Sequence, residues 1–317
     1  MSSEKNRVVI KVSQGLLILL SKIAFLIAII GVGALLKHFG LKYISRTISI
    51  LVLYILVPLL HLKIFATLEI SHQLAYVVLI ILFYNIFSLI FLSFLLRREI
   101  NKPVKYSTIL AATFQNCGFL PLPLCMIVCN DVTIVIVYVF LQIILLYPLA
   151  VLMASTNQSL GGKLKQAFIK ILLTPVITFS IVGLLLNFTG ATYLIPDLIL
   201  KIFGILGQIG IYMSLLVVGL EIPSWKLMGG VNRQESLILV WRLGVSPILH
   251  LIPSYLLMIN PIWFKQMIIE SIMPPATMSV VLARIYGFST EIISKTILIS
   301  LVVSLSAIFL MMFTAVL

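Results

Sequence analysis

The stretch Gln115-Asn116-Cys117-Gly118-Phe119-Leu120-Pro121-Leu122-Pro123 lies in the middle of an apolar run over residues 104–130. Two prolines within three residues cannot sit in a regular helix, because each removes a backbone donor and clashes with the preceding turn. A glycine three residues earlier weakens the helix further. We therefore predict that this run is a helix broken near its middle.

A second apolar run, over residues 263–287, contains the matching interruption Met273-Pro274-Pro275-Ala276. Placing Pro121 on Pro275 gives an offset of 154 residues, and the same offset places Asn116 on Glu270. A broken helix exposes N–H and C=O groups that hydrocarbon does not tolerate, so both breaks must face protein or a polar cavity. The alternative is a pair of ordinary proline kinks.

The chain as a whole is too apolar for a soluble domain. Hydrophobic residues make up 62% of it and charged residues 10%, with a mean hydropathy of +1.22. These charges are too few to cover a soluble surface. A membrane-spanning helix needs about 20 apolar residues. Ten runs qualify, over residues 15–36, 44–62, 73–96, 104–130, 132–154, 168–188, 194–220, 236–258, 263–287 and 291–316.

Ten such runs predict an all-α polytopic membrane protein made of two five-helix repeats. Residues 1–154 form the first repeat, 155–167 a short cytoplasmic linker and 168–317 the second repeat. Five is an odd number, so the second repeat enters the membrane from the opposite side and the repeats are inverted. We expect the broken helices, the fourth and ninth, to cross near the midplane of the bilayer.

The net charge of +13 would suggest nucleic acid as the partner of a soluble protein. Here the basic residues cluster between apolar runs, so we expect the lipid bilayer as a partner and no nucleic acid. The loops that follow the odd-numbered runs all lie on one side of the membrane. Together with the neighbouring helix ends, they hold fifteen of the 22 Lys and Arg residues. The positive-inside rule then places these loops in the cytoplasm and both termini outside, at the cell membrane. The basic tail with Lys5, Arg7 and Lys11 argues for the reverse.

The expected substrate-binding residues lie at the two breaks, where half-helix ends supply partial charges to a bound ion or substrate. They are Gln115, Asn116, Cys117, Gly118, Pro121, Pro123, Met273, Pro274, Pro275, Ala276 and Thr277. Gln115 and Asn116 can donate to a carboxylate, or they form purely structural hydrogen bonds. Asn85 and Gln142 either face the same cavity or bond a neighbouring helix.

Glu270 lies about one helix turn before the second break. A carboxylate at that depth costs several kcal/mol unless it is protonated, paired or hydrated, so Glu270 is the candidate for proton or sodium coupling. The alternative places it at the membrane interface, at a frayed helix end. Arg242 and Arg284 are expected near cytoplasmic helix ends with snorkelling head groups. Three tryptophans are expected as interfacial anchors, namely Trp225, Trp241 and Trp263.

Other sites are not indicated. The sequence contains neither a GxxxxGK[ST] phosphate loop nor an HExxH motif, so we expect no cofactor, no metal and no enzymatic activity. Cys117, Cys125 and Cys129 share one apolar run, which is typical of small buried side chains.

These residues resemble the auxin efflux carrier family, which includes the plant PIN-FORMED and PIN-LIKES carriers and the microbial malonate-type permeases. The stretch from Asn116 to Leu124 is similar to the family's crossover, its most specific motif. Further similar stretches are Val57-Pro58-Leu59-Leu60, Leu206 to Leu220, Arg242-Leu243 with Pro247, and Met273 to Gly287. The long central loop of many plant members is missing, and Glu270 stands where many members have an uncharged residue.

The resemblance implies the ten-helix fold of bile acid:sodium symporters and sodium/proton antiporters. It also implies a scaffold from helices 1, 2, 6 and 7, a mobile transport domain from helices 3–5 and 8–10, a homodimer and an elevator-like movement. The expected function is secondary transport of small organic anions, that is carboxylates, with auxin-like indole acids as one option. The alternatives are a cation/proton antiporter and a non-transporting membrane receptor.

The predicted orientation can be tested by cysteine labelling. In a background without the three native cysteines, a cysteine placed within residues 97–105 should resist an impermeant thiol reagent applied outside the cell. A cysteine in the loop after the second run, on the other side, should react. Labelling of the first position from outside would reverse the topology.

Overall fold

The computed structural model describes Ser21, Gln166, Ile169 and residues 24–41, 43–154, 171–221 and 230–313. Twelve α-helices form in these ranges. They are α1 Ala24–His38, α2 Tyr43–Ala66, α3 His72–Leu95, α4 Lys102–Thr113, α5 Pro121–Cys129, α6 Thr133–Ala154, α7 Pro175–Phe188, α8 Asp197–Glu221, α9 Arg233–Leu256, α10 Pro261–Ser271, α11 Thr277–Tyr286 and α12 Thr290–Phe313. In this part of the chain, strand pairing is limited to one isolated bridge. The expected linker (apart from Gln166), the basic tail and Trp225 lie outside the described residues.

The all-helical fold class is confirmed. Six helices are long and apolar enough to cross a membrane, namely α2, α3, α6, α8, α9 and α12. Three more, α1, α7 and α11, are shorter apolar helices. Each of the ten apolar runs coincides with helix where it is described, the fourth as α4 and α5 and the ninth as α10 and α11. Two helices are therefore interrupted where the sequence predicted breaks.

Two of the long helices contain a π turn, and a proline explains each one. The π turns are Val52–Leu56 in α2 and Trp241–Val245 in α9. Pro58 and Pro247 follow two residues after them. Proline has no N–H to donate to the carbonyl four residues earlier, so an extra residue is accommodated in the preceding turn. In α9 this changes the direction of the side chains at residues 241–245.

A first group of helices, α1, α2, α7 and α8, packs through glycines. A Cβ atom on Gly219 of α8 would lie 2.1 Å from the carbonyl oxygen of Ile30 in α1. A Cβ atom on Gly183 of α7 would lie 2.7 Å from the carbonyl oxygen of Leu62 in α2. Glycine is required at both positions because the helix backbones approach so closely.

The remaining helices, α3–α6 and α9–α12, form a second group. Within it, α9 packs against α3, α4, α10 and α12, while α5 and α6 pack against α10. Large apolar side chains such as Phe83, Ile90 and Phe94 of α3 point outward and are exposed. This outer surface suits lipid, which solvates apolar side chains as well as a protein interior does. The two groups meet where α8 contacts α5 and where α2 and α7 contact α6.

The glycine contact between α1 and α8 generates a stability prediction. Gly219→Ala should lower the melting temperature (Tm) of the purified protein in detergent, because the new methyl group meets backbone that cannot move aside. Overpacking of this kind costs about 1–3 kcal/mol. Gly31→Ala is the matched control, since a Cβ atom there has nothing within 4 Å. Equal Tm values for the two variants would contradict the close packing.

Candidate functional site

The two helix interruptions meet and bind each other through their backbones. The N–H of Asn116 donates to the carbonyl of Pro274 at 2.8 Å, and the N–H of Ala276 donates to the carbonyl of Phe114 at 2.9 Å. These bonds form the antiparallel bridge between Gln115 and Pro275. We call this region, residues 114–120 and 272–276, the crossing. Its two hydrogen bonds satisfy backbone N–H and C=O groups that the two breaks would otherwise leave without a partner.

The bonds of the crossing join residue 116 to 274 and residue 276 to 114, on either side of the antiparallel bridge. Asn116 therefore lies opposite Pro274 rather than Glu270, which lies one turn earlier in α10. Pro121 begins the half-helix α5, whereas Pro275 lies in the bridge itself. The repeat offset of 154 residues stays a prediction.

Four consecutive carbonyls at the end of α10 and just beyond it, those of residues 271–274, each accept a hydrogen bond. The Ser246 hydroxyl donates to the carbonyl of Ser271 at 2.7 Å, and the Ser304 hydroxyl donates to that of Ile272. The Arg242 guanidinium donates to the carbonyl of Met273, and the N–H of Asn116 donates to that of Pro274. The donors come from α9, α12 and the other break. The last carbonyls of a helix have no partner within the helix, so these outside donors allow α10 to end inside the protein.

Arg242 does not lie where the sequence predicted. Its side chain is fully buried, not snorkelling. Its Nε and Nη2 atoms donate to the carbonyl of Met273 at 3.0 and 2.8 Å, Nη1 donates to the Tyr84 hydroxyl, and Nη2 also donates to Oε1 of Gln115 at 2.8 Å. Arg242 lies nine residues into α9, roughly 14 Å along the axis, and its π turn directs it into the protein.

Gln115 connects Arg242 with Glu270. While its Oε1 accepts from Arg242, its Nε2 donates to Oε2 of Glu270 at 2.9 Å. Glu270 is fully buried in the last turn of α10, so the interfacial alternative is wrong. Its Oε1 has no partner among the described residues. An amide thus lies between a buried cation and a buried carboxyl group, and its two ends are oriented by them.

Gln142 of α6 fixes the backbone of the first break. Its Nε2 donates to the carbonyl of Gln115, and its Oε1 accepts the N–H of Gln115 at 3.3 Å. Of the two readings of Gln142, bonding to a neighbouring helix is therefore the one observed. Asn85 is buried in α3 and donates to the carbonyl of Ile81 in its own helix. Its Oδ1 has no partner within the described part of the chain.

Most of the predicted site residues lie at the crossing, but few of them are accessible. Gly118 and Thr277 are partly exposed. The others are buried, namely Gln115, Asn116, Cys117, Pro121, Pro123, Met273, Pro274, Pro275 and Ala276. The side-chain oxygen of Asn116 accepts the N–H of Phe119 at 3.2 Å. Its Nδ2 group has no partner within the described ranges, so both of its N–H donors are free.

The tryptophan predictions need correction at one position. Trp241 is not an interfacial anchor, because it is buried and its indole N–H donates to the Ser88 hydroxyl at 3.0 Å. Like its neighbour Arg242, it lies in the π turn of α9. Trp263 is half-buried in the first turn of α10, and Arg284 is exposed in the last turn of α11. As predicted, Cys117 and Cys125 are buried, whereas Cys129 is partly exposed.

A cavity of about 440 Å³ lies between the two groups of helices. Its lining comes from α1, α5 and α8 and from neighbouring residues, namely Ser21, Phe25, Met126, Ile127, Asn130 and Tyr212. The rings of Phe25 and Tyr212 meet edge to face, with centroids 5.5 Å apart. Two residues after Tyr212, the Ser214 hydroxyl donates to the carbonyl of Phe119 at 2.8 Å. The wall of the cavity is therefore connected to the crossing.

Comparison with known proteins indicates the class of protein to which the described fold and site belong. Residues 162–312 match a family described as membrane transport protein. The match includes α7 to α11 and nearly all of α12, and therefore the second break, Arg242 and Glu270. No curated protein matches the chain significantly. Together with the apolar helices, the match supports a multi-pass membrane protein of the transport class.

The matched family is that of auxin efflux carriers and PIN-like transporters. The resemblance seen in the sequence is confirmed over residues 162–312, and the members of this family are transporters rather than enzymes.

The position of Gln115 generates a prediction about stability. Gln115→Met removes both side-chain bonds and leaves Arg242 and Glu270 without the amide between them. Unpaired buried groups of this kind cost about 1–3 kcal/mol or more, so Tm should fall by roughly 3–10 °C. Thr113→Val is the control, because the buried hydroxyl of Thr113 has no partner among the described residues. A Gln115→Met variant as stable as this control would show that the side-chain bonds of Gln115 to Arg242 and Glu270 contribute nothing to stability.

Proposed function

We propose that this protein is a secondary carrier of small organic carboxylates that binds its substrate at the crossing. The observation that carries the proposal is the meeting of two interrupted helices, bonded backbone to backbone, inside a membrane transport protein. An interruption of this kind leaves helix ends in the middle of the protein, where they can act on a bound ion. We propose that the ten helical runs cross the bilayer as two inverted repeats.

Positive partial charge at the crossing favours an anion. The half-helices α5 and α11 both begin just after the crossing, and helix N-termini attract carboxylates. Gly118 and Thr277, at or near these N-termini, are partly exposed. The free Nδ2 group of Asn116 adds a side-chain donor. These groups suit a carboxylate better than a cation.

The cavity between the two groups of helices suits the organic part of such a substrate. Phe25, Tyr212 and Met126 give it aromatic and apolar surface, while Asn130 adds a polar group. Met126 lies five residues after Pro121, roughly 8 Å along α5. A substrate with a carboxylate at one end and an apolar body of a few carbon atoms could contact both places. Auxin-like indole acids are one such class.

The two groups of helices supply the parts for movement. We propose that α1, α2, α7 and α8 form the scaffold and that α3–α6 and α9–α12 form the transport domain, which moves like an elevator. The cavity and the bond from Ser214 to Phe119 lie between these groups. A homodimer joined through the scaffold, located in the cell membrane with both termini outside, completes the proposal.

A cation/proton antiporter is the second candidate, and Glu270 is the observation in its favour. Its carboxyl group is buried, and Oε1 has no partner in the described part of the chain. Proton or sodium coupling through Glu270 stays a prediction of the sequence. The antiporter hypothesis requires ion exchange without any organic substrate, and a non-transporting receptor requires binding without movement.

The deciding experiment measures binding and transport separately. Purified protein is screened for thermal stabilisation against a panel of aliphatic and aromatic carboxylates, with the matching alcohols and amides as controls. Hits are then tested for uptake into proteoliposomes. Carboxylate-selective stabilisation together with uptake supports the carrier. Stabilisation without uptake favours the receptor, and ion exchange without any effect of carboxylates favours the antiporter.

The prolines of the crossing generate a further prediction. Pro275→Ala adds an N–H donor at the bridge and relaxes the break, so carboxylate uptake should fall strongly while surface expression persists. Pro121→Ala should have the same effect at the start of α5. Pro148→Ala is the matched control, because Pro148 lies within the unbroken helix α6. Normal uptake by both crossing variants would mean that the breaks are ordinary kinks.

Asn116 is expected to contribute directly to affinity. Asn116→Ala removes the free Nδ2 donor and should weaken carboxylate binding by about 0.5–3 kcal/mol, the range for one hydrogen bond that extends to charged partners. Asn85→Ala serves as the control, since Asn85 bonds only within its own helix in the described structure. Titration of the thermal shift measures both affinities, and equal affinities would remove Asn116 from the site.

A further inference from the structure

We propose that Arg242 is a tethered cation that takes the place of a coupling sodium ion at the crossing, so that the carrier works without sodium. The inference rests on the proposed function only where it speaks of transport. Its structural part, that the guanidinium fills a cation site made of carbonyl oxygens, applies to the protein without any substrate.

The oxygen atoms around Arg242 are those that a sodium ion would bind. The carbonyl of Met273 accepts two of its N–H groups at 2.8 and 3.0 Å, and Oε1 of Gln115 accepts another at 2.8 Å. The Tyr84 hydroxyl accepts a further bond, and the carbonyl of Ser271 lies 3.5 Å from Nη2. Carbonyl oxygens at a half-helix C-terminus are the usual ligands of coupling ions in broken-helix transporters.

The charge of Arg242 is matched to this position. The C-terminal end of α10 carries the negative end of the helix dipole, and a cation there is favourable. The carboxyl group of Glu270 lies on the other side of Gln115 and accepts from its Nε2, so Gln115 links it to Arg242. Glu270 then acts as a partner of the fixed cation, which is a different role from that of an ion-coupling group.

A tethered cation differs from a free ion in one decisive respect. A sodium ion can bind on one side of the membrane and leave on the other, which makes its gradient a source of energy. Arg242 is covalently held and buried at 0% exposure, so it stays with the crossing throughout the cycle. The site remains neutralised, but no sodium gradient is used.

The test uses purified protein without substrate, in NaCl or choline chloride of equal concentration. Wild-type Tm should be the same in both salts to within about 1 °C. Arg242→Ala opens the cation site and should lower Tm on the order of 10 °C in choline, because the carbonyl of Met273 and Oε1 of Gln115 lose their buried charged donor. Sodium, or guanidinium at tens of millimolar, should restore about 3–6 °C when present at ten times its Kd.

Two further variants make the outcome decisive. Arg284→Ala removes an exposed arginine from the same group of helices and should show no dependence on the salt. Arg242→Lys keeps a tethered charge and should stay insensitive to sodium, which gives a readout even if Arg242→Ala does not fold. Sodium-dependent stabilisation of the wild type or of Arg242→Lys overturns the inference. Equal Tm of a folded Arg242→Ala variant in sodium, guanidinium and choline overturns it as well.

A transport measurement provides a second test that is independent of the thermal measurements. Wild-type proteoliposomes should take up the carboxylate identified by the panel at the same initial rate in sodium and in choline. If no carboxylate is transported while the salt dependence of the variants is as expected, the proposed function fails and the tethered cation stands. If carboxylate uptake requires sodium, the carrier stands and the tethered cation fails.

Discussion

An interrupted helix inside a bilayer leaves carbonyl groups that lipid cannot bond, and the rest of this structure depends on how those groups are satisfied. The carbonyls of residues 271–274 receive their donors from α9, α12 and the first break. Two of the four donors lie in α9, one lies in α12 and one in the first break, all within the second group of helices. The break therefore holds the group together, because its helices share the task of satisfying one short segment.

Arg242 is a buried charged residue that helps to satisfy the carbonyl groups of the second break. A buried ion pair is weak evidence for stability, since desolvation can exceed the attraction between the charges. A guanidinium can nevertheless satisfy several carbonyls at once in a fixed geometry, which a hydroxyl cannot do. Arg242 orients the side-chain amide of Gln115, and this amide in turn donates to the carboxyl group of Glu270. The polar groups of the crossing thus specify one arrangement of the two breaks.

The sequence was sufficient for the features that a single segment determines. Pro121 and the pair Pro274-Pro275 predicted both breaks, and the position of Glu270 in its run predicted a carboxyl group away from bulk water. It was insufficient for long-range contacts: neither the register of the bridge nor the partners of Arg242 can be read from one segment. A signal for Arg242 existed, because Pro247 five residues later implies an irregular turn, and an arginine nine residues into an apolar helix needs a partner.

The two groups of helices are held together by different forces, and this difference bears on how the protein can move. The first group relies on backbone contacts at Gly33, Gly183 and Gly219, where the helices pack too closely to admit a Cβ atom. The second relies on the hydrogen bonds of the crossing, each of which a displacement would leave unsatisfied within a membrane. Deformation inside either group is therefore costly. Between them lie a cavity and apolar contacts with a bond at Ser214, which favours movement of one group against the other over a change within either.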